Sequence, residues 1–456
     1  MSPQPQLTPF SCLHRTIALC NGSMYNEYML HTVTIKDAAQ TIGVSLDTVR
    51  RWEKKGLIKS SRSDQNYRLF DLDEVKRIHK SDYGDNFQGS YRILKGNRAT
   101  KYTSIELFAG AGGTALGMEN AGIQHTMLVE YEKKAIETLK ANKPGWNVVG
   151  KDIREISFIG LEADIIQGGF PCQAFSYAGT KRGFEDTRGT LFFEFARAIK
   201  EVKPKIAIGE NVRGLLRHDN GKTIETMITT LKELGYKVAY KLMKSQYLDV
   251  PQKRERLMII AIRNDLDIPL LAPKEQNYII NLKQALNNVP ISDGIRYNDK
   301  KKSVLDKVPA GGYWRNLPLE MQKEYMGKSF FAGGGKTGMA RRLSWEEPSL
   351  TLTCHPAQKQ TERCHPEETR PLTVREYARI QTFPDEWEFK GSTLSQYKQI
   401  GNAVPVNLGY HMGKCVIAML DNKPDYDSMV ELQPLNYPQE RTPTPDIFSE
   451  SLYHFI

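Results

Sequence analysis

Cys172 lies in the loop Gly169-Phe170-Pro171-Cys172-Gln173-Ala174-Phe175-Ser176, directly after the apolar run of residues 163–168. Pro171 removes a backbone donor and fixes φ, so neither a helix nor a sheet interior continues through the thiol. A thiolate in such a loop is a nucleophile for covalent catalysis, whereas a free cysteine in a core is a small hydrophobe. The loop alone leaves the two readings about even. Glu210 closes an apolar segment and suits a general acid if burial raises its pKa, or else a helix cap. Arg254 and Arg256 stand two apart in Gln252-Lys253-Arg254-Glu255-Arg256, which on a strand directs both side chains to one side. Either could instead form a structural ion pair. Upstream, Phe108-Ala109-Gly110-Ala111-Gly112-Gly113 follows a strand and opens a helix. Glycines there let a ligand approach the backbone, and the helix N-terminus favours a carboxylate. That loop suits a dinucleotide or S-adenosylmethionine. The next two segments end in Glu130 and Asp152, acids placed for ribose hydroxyls and for an adenine amino group.

In this order, the glycine loop, the cysteine loop, Glu210-Asn211-Val212 and the Arg254/Arg256 block resemble the bacterial DNA (cytosine-5)-methyltransferases. Arg370-Pro371-Leu372-Thr373-Val374-Arg375-Glu376 and Gln399-Ile400-Gly401-Asn402 close the resemblance, which spans residues 102–420. It implies methyl transfer from S-adenosyl-L-methionine to C5 of cytosine at a specific site in double-stranded DNA. It also implies partnership with a restriction endonuclease. Cys172 would add to C6 and make C5 reactive, Glu210 would supply a proton at N3, and Arg256, with Arg254 beside it, would contact the flipped base. For the cofactor, Phe108 would stack on adenine, Gly110 and Gly112 would admit the ligand, and Glu130 would take the ribose. Asp152 with Ile153 would line the adenine pocket, joined by Pro171, Leu191 and Asn402. Gln173, Ser176 and Arg182 would hold the DNA around the vacated base position. The family's target-recognition region falls on an irregular stretch here, with Arg315, Lys328, Lys336, Arg341 and Arg342 as candidate DNA contacts.

Short apolar strands at 104–108, 127–130, 164–168, 206–210 and 257–262 alternate with amphipathic helices. This predicts an α/β fold: a Rossmann-like methyltransferase sheet, buried on both faces. Residues 102–269 are the expected catalytic and cofactor-binding domain. Residues 270–369 form a small irregular target-recognition domain, and 370–422 return to the catalytic domain. Residues 1–31 read as a disordered leader, 82–101 as a linker and 423–456 as a proline-rich tail. Between leader and linker, Ala38, Ala39 and Ile42, then Val49 and Trp52, recur at helical spacing around a Gly43-Val44-Ser45 turn with Ser45 as N-cap. A short wing and a third helix follow, making 32–81 a winged helix-turn-helix. It resembles the N-terminal half of MerR-like regulators. The resemblance implies that Arg50, Arg51 and Lys54 contact DNA. The expected target is the protein's own promoter, apart from the catalytic site, for autoregulation, with pairing of two chains or added contacts from the methyltransferase body needed for specificity.

The chain has 456 residues and a net charge of +10, which points to an anionic partner. Its six cysteines follow no framework spacing, as suits a reducing cytoplasm. No apolar run spans a bilayer, and the N-terminus does not read as a signal peptide. Met24 and Met29 are alternative starts. Two nucleotide-loop look-alikes, Gly327-Lys328-Ser329 and Gly335-Lys336-Thr337, lack the required upstream glycine. Cys354-His355 and Cys364-His365 lack zinc-knuckle spacing, so no metal is expected. Two other functions fit the motifs: a transcription regulator on a methyltransferase scaffold, and an RNA cytosine-5 methyltransferase.

Overall fold

The computed structural model describes residues 32–171, 191–331 and 336–435, apart from 43, 45, 55, 64–65, 84–89 and 97. The leader, the Ser45 cap, Cys172, Gln173, Ser176, Arg182 and most of the tail lie outside the described residues.

The N-terminal module runs β1 (Thr32–Thr34), α1 (Ile35–Thr41), α2 (Leu46–Lys54), β2 (Ser60–Arg62), β3 (Arg68–Asp71) and α3 (Leu72–Tyr83). Its three strands pair antiparallel in the order β1-β3-β2, so the wing includes a strand ahead of α1. Ala38, Ala39, Val49, Trp52, Phe70 and Val75 are buried together, as their spacing requires. The same cluster takes in Tyr247 and Ile279 from far along the chain.

The larger unit begins with β4 (Thr103–Leu107), α4 (Gly113–Ala121), β5 (Gln124–Glu130), α5 (Lys133–Asn142), β6 (Val148–Gly150), β7 (Ile165–Gly168), α6 (Leu191–Val202) and β8 (Ile206–Val212). It continues through α7 (Lys222–Glu233), β9 (Tyr236–Lys244), β10 (Gln252–Lys253), β11 (Glu255–Arg263) and β12 (Leu270–Pro273). Seven strands form one sheet in the order β6-β5-β4-β7-β8-β11-β9. The first five are parallel, and β11 runs antiparallel between β8 and β9. Ile165 and Ile166 of β7 are fully buried, with Phe192, Phe195 and Ile199 of α6 on one face. The other face carries the last long helix described below.

After β12 come α8 (Leu282–Ala285), α9 (Asp299–Leu305), α10 (Leu319–Met326) and β13 (Ser349–Leu350). Leu305, Trp314, Met326, Met339 and Cys364 make a separate small core, which is the irregular domain. Leu282 and Leu286 instead pack with Leu372, Tyr377 and Tyr397 of the returning segment. That segment holds α11 (Val374–Ile380), α12 (Thr393–Asn402), α13 (Val406–Leu420) and β14 (Met429–Leu432). Helix α13 lies against α4 so closely that a Cβ on Gly117 would strike the Val406 carbonyl oxygen. No helix among the described residues is long and apolar enough to cross a membrane.

Two expectations of free chain do not hold. Within the expected linker, residues 90–96 are a strap: Leu94 N donates to Asn407 Oδ1 (2.9 Å), Tyr91 Oη to the Arg379 carbonyl (2.9 Å), and Gly96 N to the Asn120 carbonyl (2.7 Å). The tail, too, begins paired. β14 runs antiparallel to β12, and Leu435 N donates to Val238 O on β9.

Candidate active site

The carboxyl ends of the parallel strands open onto a cavity of about 560 Å³. Phe108, Gly110, Glu130, Asp152, Ile153, Pro171, Leu191, Glu210, Arg256 and Asn402 all line it. Motifs spread over nearly 300 residues thus meet at one wall: Phe108, Glu130, Asp152 and Glu210 come from parallel strand ends, whereas Leu191 opens α6, Arg256 starts the antiparallel β11 and Asn402 ends α12.

The glycine loop is held in left-handed backbone. Phe108, Gly110 and Gly112 have φ of 60°, 56° and 84°. For Phe108 this is a conformation that L side chains rarely adopt. A Cβ on Gly110 would meet open space, so its bare face belongs to the cavity. Gly112 does not line it. A Cβ there would come within 2.7 Å of the Leu139 side chain, so this glycine serves the turn and its packing, contrary to the ligand role expected. Glu130 is buried and accepts from Gly110 N (2.7 Å), Tyr131 N (2.9 Å) and Glu132 N (2.8 Å). A carboxylate has about four acceptor sites, so one remains. Asp152 is clasped by the Arg154 side chain (2.6 and 3.0 Å) and backbone, which pull its pKa down to about 2.

Sequence reasoning missed Glu106. It is buried at the cavity floor, next to Gln167 Nε2 (2.5 Å), and burial pushes its pKa up to about 8. The Gln167 Oε1 atom is buried without a hydrogen-bond partner, and it is the acceptor a protonated Glu106 needs once the amide turns over. The available signal was an acid set between Ile105 and Leu107 in a strand expected to be buried.

At the other end, Glu210 Oε1 meets Arg256 Nε at 2.8 Å, both side chains mostly buried. Burial lowers the Arg256 pKa, and the Glu210 charge opposes that shift. Glu210 Oε2 lies over Gly169, where a Cβ would come within 3.0 Å. Asn211, given no role from sequence, donates from Nδ2 to the Phe170 carbonyl (3.0 Å). It fixes the chain one residue before Pro171, at the root of the Cys172 loop.

Arg254 does not share Arg256's orientation. The strand breaks between β10 and β11 at this residue, so two-residue periodicity fails. Its fully buried guanidinium donates to the carbonyls of Leu352, Gly401 and Ala403 (3.0–3.3 Å). It therefore braces the segment that carries Asn402. Arg342 is likewise a structural residue rather than a DNA contact. It is buried and donates to four carbonyls and Thr369 Oγ1. Arg341 is mostly buried beside Tyr313, Lys336 donates to the Ser329 carbonyl, and Arg315 and Lys328 are exposed. On α2, Arg50 pairs with Asp47 (2.8 Å), Lys54 is exposed, and Arg51 turns toward the catalytic unit. Among the described residues no group of His, Cys, Asp and Glu could hold a metal ion.

A strand-end cavity with a bare glycine loop and a Glu–Arg pair beside a tethered loop is that of an α/β S-adenosylmethionine-dependent methyltransferase fold. A solved structure of a prophage-encoded DNA modification methyltransferase from E. coli shares it, at TM-score 0.52 and 22% identity over 70% of this chain and all of that one. Residues 102–418 match the family described as C-5 cytosine-specific DNA methylase, and the chain belongs to that family of DNA (cytosine-5)-methyltransferases. It is 54% identical over 401 residues to Type II methyltransferase M.Eco47II of Escherichia coli, covering 85% of this chain and 96% of the relative. Over 329 residues it is 53% identical to Type II methyltransferase M.Sau96I of Staphylococcus aureus, covering 70% and 76%. Residues 34–70 match the MerR family of regulatory proteins.

Proposed function

We propose that the chain methylates C5 of cytosine at one sequence in double-stranded DNA, with S-adenosyl-L-methionine as donor, and so protects DNA from a restriction endonuclease in the cytoplasm. The observation that carries the reading is the Glu210–Arg256 pair at the edge of the cofactor cavity, beside the root of the Cys172 loop. The Type II relatives support the protective role.

The cavity residues fit the cofactor. Gly110 leaves its bare face to a ligand, Glu130 keeps an acceptor site for the ribose, and Phe108, Asp152, Ile153, Pro171, Leu191 and Asn402 surround the rest. When bound, S-adenosyl-L-methionine supplies an electrophilic methyl group. The chain's own residues prepare the base. The Cys172 thiolate adds to C6, and the electron pair moves into the ring toward N3. Glu210, held by Arg256, delivers a proton there, leaving an enamine with a nucleophilic C5. After C5 is methylated, water takes H5 as a proton, the thiolate is expelled from C6, the N3 proton returns to Glu210 and aromaticity returns. Gln173, Ser176 and Arg182 hold the strand around the extruded nucleotide.

Repression of its own promoter through residues 32–81, with two chains pairing on the operator, is a second reading, favoured by the MerR match. Bisulfite sequencing of host DNA with and without the gene tests the first reading. Unchanged cytosines, or methyl incorporation into transfer RNA alone, would overturn it. A promoter footprint that persists without residues 1–90 would overturn the second.

A further inference from the structure

The N-terminal module is seated on the catalytic unit. Tyr247 and Ile279 enter its hydrophobic core, and Asp47 on α2 is close enough to act electrostatically on Arg341 of the irregular domain. Helix α2 consequently presents Arg51 to a second cavity, of about 420 Å³, a size in the range of small-molecule and nucleotide sites. Five further cations line that cavity: Arg213, Lys244, Lys253, Arg254 and Arg256. Glu255 is the one acid on its wall. Val212 and Arg256 also belong to the cavity that holds Glu210, so the two spaces adjoin.

The cations are held in place. Arg213 is paired with Glu255 (2.7 Å), Lys253 with Glu347 (2.6 Å), Arg256 with Glu210 (2.8 Å), and Arg254 is bound to carbonyls. Lys244 is weakly paired with Glu275 (3.8 Å). Besides the carbonyl-bound Arg254, five basic side chains line this one cavity beside the base pocket, a concentration of positive charge suited to phosphate oxygens.

We propose that this cavity binds the phosphodiester backbone next to the target cytosine, and that Arg51 completes it, so that the helix-turn-helix module is a wall of the methylation cleft. This rests on the reading of the chain as a DNA methyltransferase. A phosphate contact positions the duplex without reading sequence. Arg51 is therefore a substrate-positioning residue. Its removal weakens all duplexes alike and leaves the chemical step alone.

The test uses the full chain and its Arg51→Ala, Arg51→Lys and Arg51→Glu variants. Steady-state methyl transfer from labelled S-adenosyl-L-methionine to unmethylated genomic DNA is measured across a salt series. Fluorescence anisotropy on a 20-base-pair duplex is read in parallel. Arg51→Ala should raise KM and Kd for DNA about tenfold and lower the slope of log Kd against log salt by about one, with kcat and cofactor affinity unchanged. Arg51→Lys should restore most of the loss, and Arg51→Glu should deepen it. Unchanged KM, Kd and salt slope would overturn the proposal. So would a rise in kcat/KM, which would make Arg51 a plug in the cleft, or loss of promoter binding alone. If the wild type transfers no methyl group to DNA, the functional reading fails, and the anisotropy series still decides the role of Arg51.

Discussion

Arg256 reaches Glu210 diagonally. In the ladder between β8 and β11, Arg256 stands opposite Val212 and Glu210 opposite Met258, yet Arg256 Nε lies 2.8 Å from Glu210 Oε1. Diagonal neighbours two residues apart share a face of the sheet, and a long side chain bridges the gap. The pair depends on β11 running antiparallel beside β8, so the acid is oriented by a strand from another part of the chain.

Separating the pair should therefore affect chemistry before binding. Glu210→Gln keeps a hydrogen bond but cannot deliver a proton, so kcat should fall on the order of a hundredfold or more. Cofactor Kd should hold within about twofold. Arg256→Ala should cost kcat similarly by releasing the carboxylate. Rapid-quench kinetics at saturating cofactor measure both. A collapse in cofactor affinity with normal turnover would remove Glu210 from its assigned role.

For Arg254 the expectation is reversed. Arg254→Ala removes hydrogen bonds to three buried carbonyls, of which Ala403 keeps Gln381 Nε2 as a second donor, so stability should fall by about 2 kcal/mol or more. Urea unfolding of the variant against wild type reads this directly, and an unchanged midpoint would mean that water replaces the guanidinium. The activity that survives at low temperature should retain near-normal kcat.

The pH dependence turns on Glu106. Its ordinary value is 4.5 and its folded value about 8. Between those limits the folded chain keeps a proton that the unfolded chain has released, so stability falls as pH rises through this window and levels off above about pH 8. Glu106→Gln should flatten the decline. Thermal midpoints from pH 5 to 9 should separate the two proteins progressively until about pH 8. Parallel curves would show that Glu106 titrates normally.

Cys172→Ala should abolish methyl transfer while DNA binding persists, because the proposed mechanism uses the thiol in bond formation. Duplexes carrying 5-fluorocytosine at the target should trap the wild type in a denaturation-resistant complex, since fluorine cannot depart as a proton does. Turnover by the alanine variant would defeat the covalent route.

The strand–loop blocks of the cofactor cavity were legible in sequence because each is local: a strand, its terminal acid or glycine turn, and the following helix. Phe108, Glu130, Asp152 and Glu210 line one cavity for that reason. Arg254 was not legible, since a break in the strand at that residue alters which way it faces. Arg342 looks like a surface cation in sequence, and only the carbonyls folded around it make it internal. The strap at 90–96 and the seating of α2 depend on partners more than a hundred residues away, such as Asn407 and Tyr247, which leave no local period. Cys172 itself lies outside the described residues.

The outer strand β9 has its own consequence. A sheet margin with open backbone groups is a template for strand addition and aggregation. Here Lys237 Nζ bonds back to the carbonyls of Leu266 and Ile268, Lys241 Nζ to that of Pro273, and Leu435 N occupies Val238 O. Shortening the chain before Leu435 would bare part of that margin, so such a protein would lose solubility while its catalytic cavity remained whole.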